Sequence, residues 1–136
     1  MKYILGAGVS LAVLALSASG VMAACAIEGA GSVRILSNDF AALKVVNDAA
    51  STCAAGGVTV TVNQTTEHKN IQGPALTVNP AEYTVAVVAN NSIVPLLNDD
   101  LIRPLDDLVA KYGASLQPNQ LIKIDGKIMA IAFMGN

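Results

Sequence analysis

Ser32-Val33-Arg34-Ile35-Leu36-Ser37-Asn38-Asp39-Phe40, SVRILSNDF, is the stretch whose reading decides the fold. Val33 to Leu36 has the β-branched, apolar character of a short strand, and it stops abruptly. Ser37, Asn38 and Asp39 follow, three residue types that cap helix N-termini, and a helix-periodic run begins after them. A strand that runs straight into a capped helix is the first half of a βαβ unit. In open α/β sheets, ligands bind just beyond the carboxyl ends of the strands. The side chains of Ser37, Asn38 and Asp39, with the free N–H groups of the helix start, would face that crevice. Helix capping alone is the plainer reading of the same three residues.

Working outward, the spacing predicts a helix from Phe40 to Ala55, with Leu43, Val46, Ala50 and Cys53 on its sheet-facing side and Gly56-Gly57 ending it. Val58 to Val62 alternates with period two and reads as a second strand, parallel to the first through a right-handed crossover. Between Thr65 and Tyr83, Gln72-Gly73-Pro74 and Asn79-Pro80 are expected to break any long helix, leaving a short one over Glu67–Ile71. His68, the one histidine, has no partner ligand in sequence and is a poor metal residue. Thr84 to Ala89 is a continuous apolar run, the pattern of a central parallel strand covered on both faces. It should pair with Val33–Leu36, so that the first strand lies between the second and third. Asn90-Asn91-Ser92 then caps a helix from Ile93 to about Leu101.

Pro104 suits the first position of a further helix, with Asp106 and Asp107 in its first turn, Leu105, Leu108, Val109 and Tyr112 as its apolar stripe and Gly113 as its stop. Adjacent carboxylates point apart on a helix, so the two aspartates read as helix-start electrostatics rather than an acid–base pair. Asp125-Gly126 between Ile122–Ile124 and Lys127–Met129 is a two-residue hairpin signal, the second arm continuing to Phe133.

The 136 residues leave room for about one domain. Lys2, the apolar run from Ile4 to Leu16 and the small residues before Ala23 make residues 1–23 a secretory signal peptide, with residues 24–136 as the mature chain. Removing Lys2 leaves seven basic against ten acidic residues, a net charge of −3. A mildly acidic exported protein with no basic stripe is not a nucleic-acid binder. Cys25 and Cys53 both survive cleavage, and an even count in an oxidising compartment favours a disulfide between them. Chain entropy assigns such a loop roughly 3–4 kcal/mol. The competing reading is lipid anchoring at Cys25, because Met22-Ala23-Ala24-Cys25 loosely resembles a lipobox. Met22 matches weakly, and lipidation would strand Cys53.

In this order, VRILSNDF, VTVTVNQ, LIRPLDDLVAKYG and IDGKIMAIAFMGN resemble the N-terminal lobe of the family 1 extracellular solute-binding proteins, the sugar-type substrate-binding components of ABC importers. Leu101-Ile102-Arg103-Pro104-Leu105-Asp106-Asp107 and Asp125-Gly126-Lys127 leading to Phe133 are the most specific pieces. The resemblance spans about Gly31 to Asn136. It implies an α/β fold of the periplasmic-binding-protein type II N-terminal lobe, a mostly parallel sheet with helices on both faces, incomplete because members build two lobes around a hinge. The family's longer second helix and the Pro before its final aromatic (here Ala132) are not matched, and paired cysteines are not general to it.

The resemblance further implies a periplasmic protein that captures a small solute such as a carbohydrate and presents it to permease subunits in the inner membrane, without a cofactor or metal. Ligand contacts carried over to this chain are Asn38, Asp39 and Phe40; Thr65 and Thr66; Asn90, Asn91 and Ser92; and Phe133 to Asn136. The amides and Asp39 would hydrogen-bond hydroxyl groups, and Phe40 or Phe133 would stack on a sugar face. The alternatives are an exported, glycoside-active enzyme and a structural fragment that binds nothing. The enzyme reading lacks a Ser/His/Asp or Cys/His set in sequence.

Overall fold

The protein is described by a computed structural model over residues 29–54 and 57–134. Residues 1–28, with the expected signal peptide and Cys25, and residues 55–56 and 135–136, with Gly56 and Asn136, lie outside the described residues. The chain is a mixed α/β fold. Strand β1 (Gly31–Ser37) is followed by helix α1 (Ala41–Ser51), strand β2 (Val58–Gln64), helix α2 (His68–Thr77) and strand β3 (Val85–Ala86). These strands form a three-stranded parallel sheet in the order β2-β1-β3, with the first strand in the middle as the sequence predicts. The direction of travel reverses after β2. Right-handed crossovers therefore put α1 on one face and α2 on the other.

Strand β1 is covered from both sides, and its last two residues, Leu36 and Ser37, are both 0% exposed. Arg34 in its middle fixes the return path of the chain. Its backbone N–H donates to Thr84 Oγ1 at 2.7 Å, its Nη2 to the Ala81 carbonyl at 3.0 Å, and its Nε to the Glu82 carbonyl.

Several sequence expectations are corrected. Helix α1 does not use Ser37, Asn38 or Asp39 as caps. Its N-cap is Phe40, in extended backbone and without a side-chain cap bond. It ends at Ser51 rather than Ala55, where the Ser51 and Thr52 hydroxyls turn back onto the Asn47 and Ala49 carbonyls, at 2.9 and 2.6 Å. Its inner face is Leu43 and Asn47 rather than Leu43 and Val46: Asn47 is 5% exposed and Val46 49%. Helix α2 runs through Pro74 instead of stopping before it. A proline removes a single backbone donor, and Thr77 Oγ1 adds a bond to the Gly73 carbonyl at 2.8 Å.

Strand β3 is two residues at the edge of the described sheet, not a central strand. Beyond Val87, whose N–H reaches the Leu36 carbonyl at 2.8 Å, the chain curls into a turn closed by Ser92 N–H on the Ala89 carbonyl at 2.9 Å. Val85 is accordingly 48% exposed.

Helix α3 (Ile93–Asn98) stops before Leu101 in a Schellman motif. Asp100 adopts φ 53, its N–H bonds the Leu97 carbonyl at 3.2 Å, and Leu101 N–H bonds the Leu96 carbonyl at 2.9 Å. Helix α4 (Asp106–Tyr112) has Leu105 as N-cap, so Pro104 precedes the helix, while Asp106 and Asp107 do occupy the first turn. Strands β4 (Leu121–Ile124) and β5 (Lys127–Ile131) form a separate antiparallel sheet. Asp125 (φ 50) and Gly126 (φ 78) take the two positive-φ places of a type I′ turn. The second arm ends at Ile131 rather than Phe133, and a bulge interrupts its register between Ile122 and Lys123. The hairpin is pinned to the start of α4: Leu105 N–H donates to the Ile128 carbonyl at 2.7 Å, and Asp106 Oδ2 accepts from Ile128 N–H at 3.2 Å. Among the described residues, no helix is long and apolar enough to cross a membrane.

The two readings of the inner face of α1 separate experimentally. Leu43 is 1% exposed, so Leu43→Ala should cost about 2–5 kcal/mol in a denaturant titration. Val46→Ala should stay within about 0.5 kcal/mol. Equal losses would contradict the orientation of α1.

Candidate functional site

The order β2-β1-β3 has its switch point between β1 and β3, the place beyond whose carboxyl ends open α/β sheets bind ligands. Asn38, Asp39 and Phe40 follow β1 there, and Asn90 and Asn91 are the central residues of the Ala89–Ser92 turn after β3. Asp39, Asn90 and Asn91 are exposed, while Asn38 and Phe40 are half-buried. None of these five caps a helix with its side chain.

Other expected site residues serve the backbone. Ser92 is buried, and its hydroxyl both accepts from Ala89 N–H at 3.0 Å and lies 3.2 Å from the Ala89 carbonyl. Thr65 Oγ1 accepts from Glu67 N–H at 3.1 Å, and Thr65 N–H extends the ladder to the Ser37 carbonyl at 3.0 Å. Thr66 is exposed beside it at the carboxyl end of β2. Phe133 follows a strand of the separate hairpin sheet, so it does not share the strand-end edge with the others; it is 46% exposed. Cys53 is buried and disulfide-bonded.

Behind the end of β1, Ser37 and Asp39 are joined by two residues the sequence reading passed over, Asn47 and Gln64. Asn47 Nδ2 lies 3.0 Å from both Ser37 Oγ and Gln64 Oε1. Gln64 Nε2 then donates to Asp39 Oδ1 at 3.2 Å. A buried serine is thus joined through two amides to an exposed carboxylate, across β1, α1 and β2. The one signal in sequence is that Asn47 stands four residues after Leu43, on the face that meets the sheet. At the end of β2 on the opposite face, Asn63 Nδ2 donates to the Tyr83 hydroxyl at 2.7 Å.

Helix α2 presents an unusual inner face of His68, Gln72 and Ala75, all buried. Among the described residues, His68 Nδ1 and Gln72 Oε1 have no hydrogen-bond partner. Burial lowers the pKa of His68 below its ordinary 6.5, and the charge of Lys69 adds to this, against a backbone hydrogen bond at Thr66. The positive end of the α2 dipole also disfavours an imidazolium at the first helical position. The fold therefore holds His68 neutral. A second concavity of about 260 Å³ lies between α4 and β5, lined by Leu105, Leu108, Val109, Tyr112, Leu116 and Ile131. The predicted apolar stripe of α4 faces this hollow rather than a closed core. Among the described residues, no three His, Cys, Asp or Glu side chains come together as metal ligands.

Comparison with family models, with curated proteins and with solved structures gives no match to this chain.

Replacing Asn47 by Ala leaves the 0%-exposed Ser37 hydroxyl and the Gln64 amide without their shared donor. The expected loss is about 1–3 kcal/mol by chemical unfolding; a change near zero would mean that the bridge does not hold the strand ends. A second expectation concerns pH. The unfolded chain takes up a proton at His68 near 6.5, and the folded chain only at lower pH. The stabilisation is therefore present above about pH 6.5 and lost as pH falls through the lowered folded value. His68→Phe should flatten that part of a melting-temperature profile between about pH 7.5 and 5.5. An unchanged slope would assign the pH dependence to other groups.

Proposed function

We propose that this chain is the first lobe of an extracellular solute-binding protein, the capture component of an ABC importer acting in the periplasm. One observation carries the reading. The parallel sheet has a switch point between β1 and β3, and the loops that follow these two strands carry Asn38, Asp39 and Phe40 on one side and Asn90 and Asn91 on the other, residue types suited to hydroxyl groups and one apolar sugar face. Support also comes from the two stretches that carry the sequence resemblance. Far apart in the chain, they meet through the bonds of Leu105 and Asp106 to Ile128.

In this mechanism the solute docks first on the strand ends. Asp39 and the three asparagines accept and donate hydrogen bonds, and Phe40 offers a face for stacking. A second lobe closes over the solute about a hinge, and the closed form engages the permease. One wall supplies few contacts, each netting about 0.5–1.5 kcal/mol, against the entropy of holding a free solute.

The binding surface can be mapped by amide chemical shifts during titration with mono- and disaccharides. Saturable shifts at Asn38, Asp39, Phe40, Asn90 and Asn91, with Kd of about millimolar or weaker, are expected. Asp39→Ala should weaken binding by up to about tenfold. Saturable shifts confined to the α4–β5 hollow, or none with any sugar, would remove this reading. Micromolar binding by a monomer would show that a second wall is not needed.

A further inference from the structure

Strand β2 ends the sheet, and among the described residues nothing pairs with its outer edge. Proteins blunt such edges with lysine, proline, bulges or short strands. This strand has seven residues, continuous register with β1, and no charge, proline or bulge. Its sequence is also a palindrome: Val58-Thr59-Val60-Thr61-Val62 reads the same in both directions about Val60.

The backbone phase matches the palindrome. Gly57 offers its carbonyl to Gly31 at 3.1 Å, and Thr65 offers its N–H to Ser37 at 3.0 Å. Odd-numbered residues of β2 therefore turn their backbone groups toward β1, and Val58, Val60 and Val62 turn theirs outward. We propose that β2 is a self-pairing edge, on which a second copy of this chain docks antiparallel about a two-fold axis through Val60.

In that register Val60 faces Val60 of the second copy, and Val58 faces Val62. All three pairs are of the hydrogen-bonded kind, because these are the residues with outward N–H and C=O groups. The exposed Thr59 faces Thr61 of the second copy in the closer, non-hydrogen-bonded spacing, where threonine pairs are favourable. The pairing is isologous, so it closes at a dimer and does not propagate. It joins two three-stranded sheets into six strands and brings both copies of α1 to the same side. Helix α1 carries Val45 and Val46, exposed at 71% and 49%, as further apolar surface on that side. No charged residue lies in β2, so the two edges meet without repulsion. A strand edge alone buries less than the roughly 1,200 Å² of a standard interface, which sets the dimer as weak and concentration-dependent.

Sedimentation velocity on the purified protein tests the proposal. A monomer–dimer equilibrium half-complete near ~100 µM is expected. The double substitution Thr59→Lys with Thr61→Lys should weaken association at least about tenfold, and so should Thr59→Glu with Thr61→Glu, because like charges then face each other across the axis. Mixing the two variants places lysines opposite glutamates and should restore a heterodimer, a result that a merely unfolded variant cannot give. A protein that stays monomeric at ~1 mM, a dimer indifferent to both double substitutions, a mixture that fails to associate, or growth to larger species would each overturn the proposal.

Discussion

The two-sided burial of β1 is the constraint on which the described fold depends. A strand paired on both edges and covered on both faces must satisfy every backbone group internally and present suitable side chains up and down. Leu36 meets the second requirement on one face with an apolar side chain. Ser37 meets it on the other face with a hydroxyl, which is tolerable because Asn47 reaches it. Arg34 supplies the third fixing point by holding the segment that returns to β3. The positions of β2 and β3 follow from their ladders to this one strand, and α1 is placed over it and β2 by the bonds of Asn47 to Ser37 and Gln64.

The α4–hairpin unit is held by a different logic. It shares no ladder with the parallel sheet. Its coherence comes from the exchange of Leu105 and Asp106 with Ile128, and from the type I′ turn that sets the register of β4 against β5. Ile128 is the buried residue of β5, whereas Ile131, Phe133 and Met134 remain 39–46% exposed. Leu108, Tyr112 and Ile131, exposed at 43, 69 and 39%, line the hollow beside α4.

The sequence was most legible where one residue type has one physical meaning. Strands β1 and β2 were evident from β-branched alternation, and the hairpin from Asp125-Gly126, because few residues accept two successive positive φ values. The order β2-β1-β3 agrees with the expected parallel pairing of the third strand with the first. Helix α2 was underestimated because its buried face is His68 and Gln72 with a single alanine, so no apolar period marks it. Apolar spacing points to Val46 and passes over Asn47, since a buried amide is profitable only when its partners are known, and Ser37 and Gln64 come from other elements. The apolar run Thr84–Ala89 promised a longer strand than β3; a turn closed by Ser92 diverts it. At the crevice, positions after strand ends were readable from Asn38, Asp39, Asn90 and Asn91. The network behind them was not, because it depends on side chains meeting across three elements.

That network has a consequence for molecular recognition in general. A surface aspartate ordinarily samples several rotamers, and a ligand that fixes it loses that freedom on binding. Asp39 has one carboxylate oxygen already tied to Gln64, which is tied through Asn47 to a fully buried serine. Its second oxygen is thus displayed from a side chain that has already surrendered its rotational entropy during folding. A solute docking at the strand ends, as proposed, would therefore meet an acceptor whose direction is set by the fold, and discrimination there would rest on geometry.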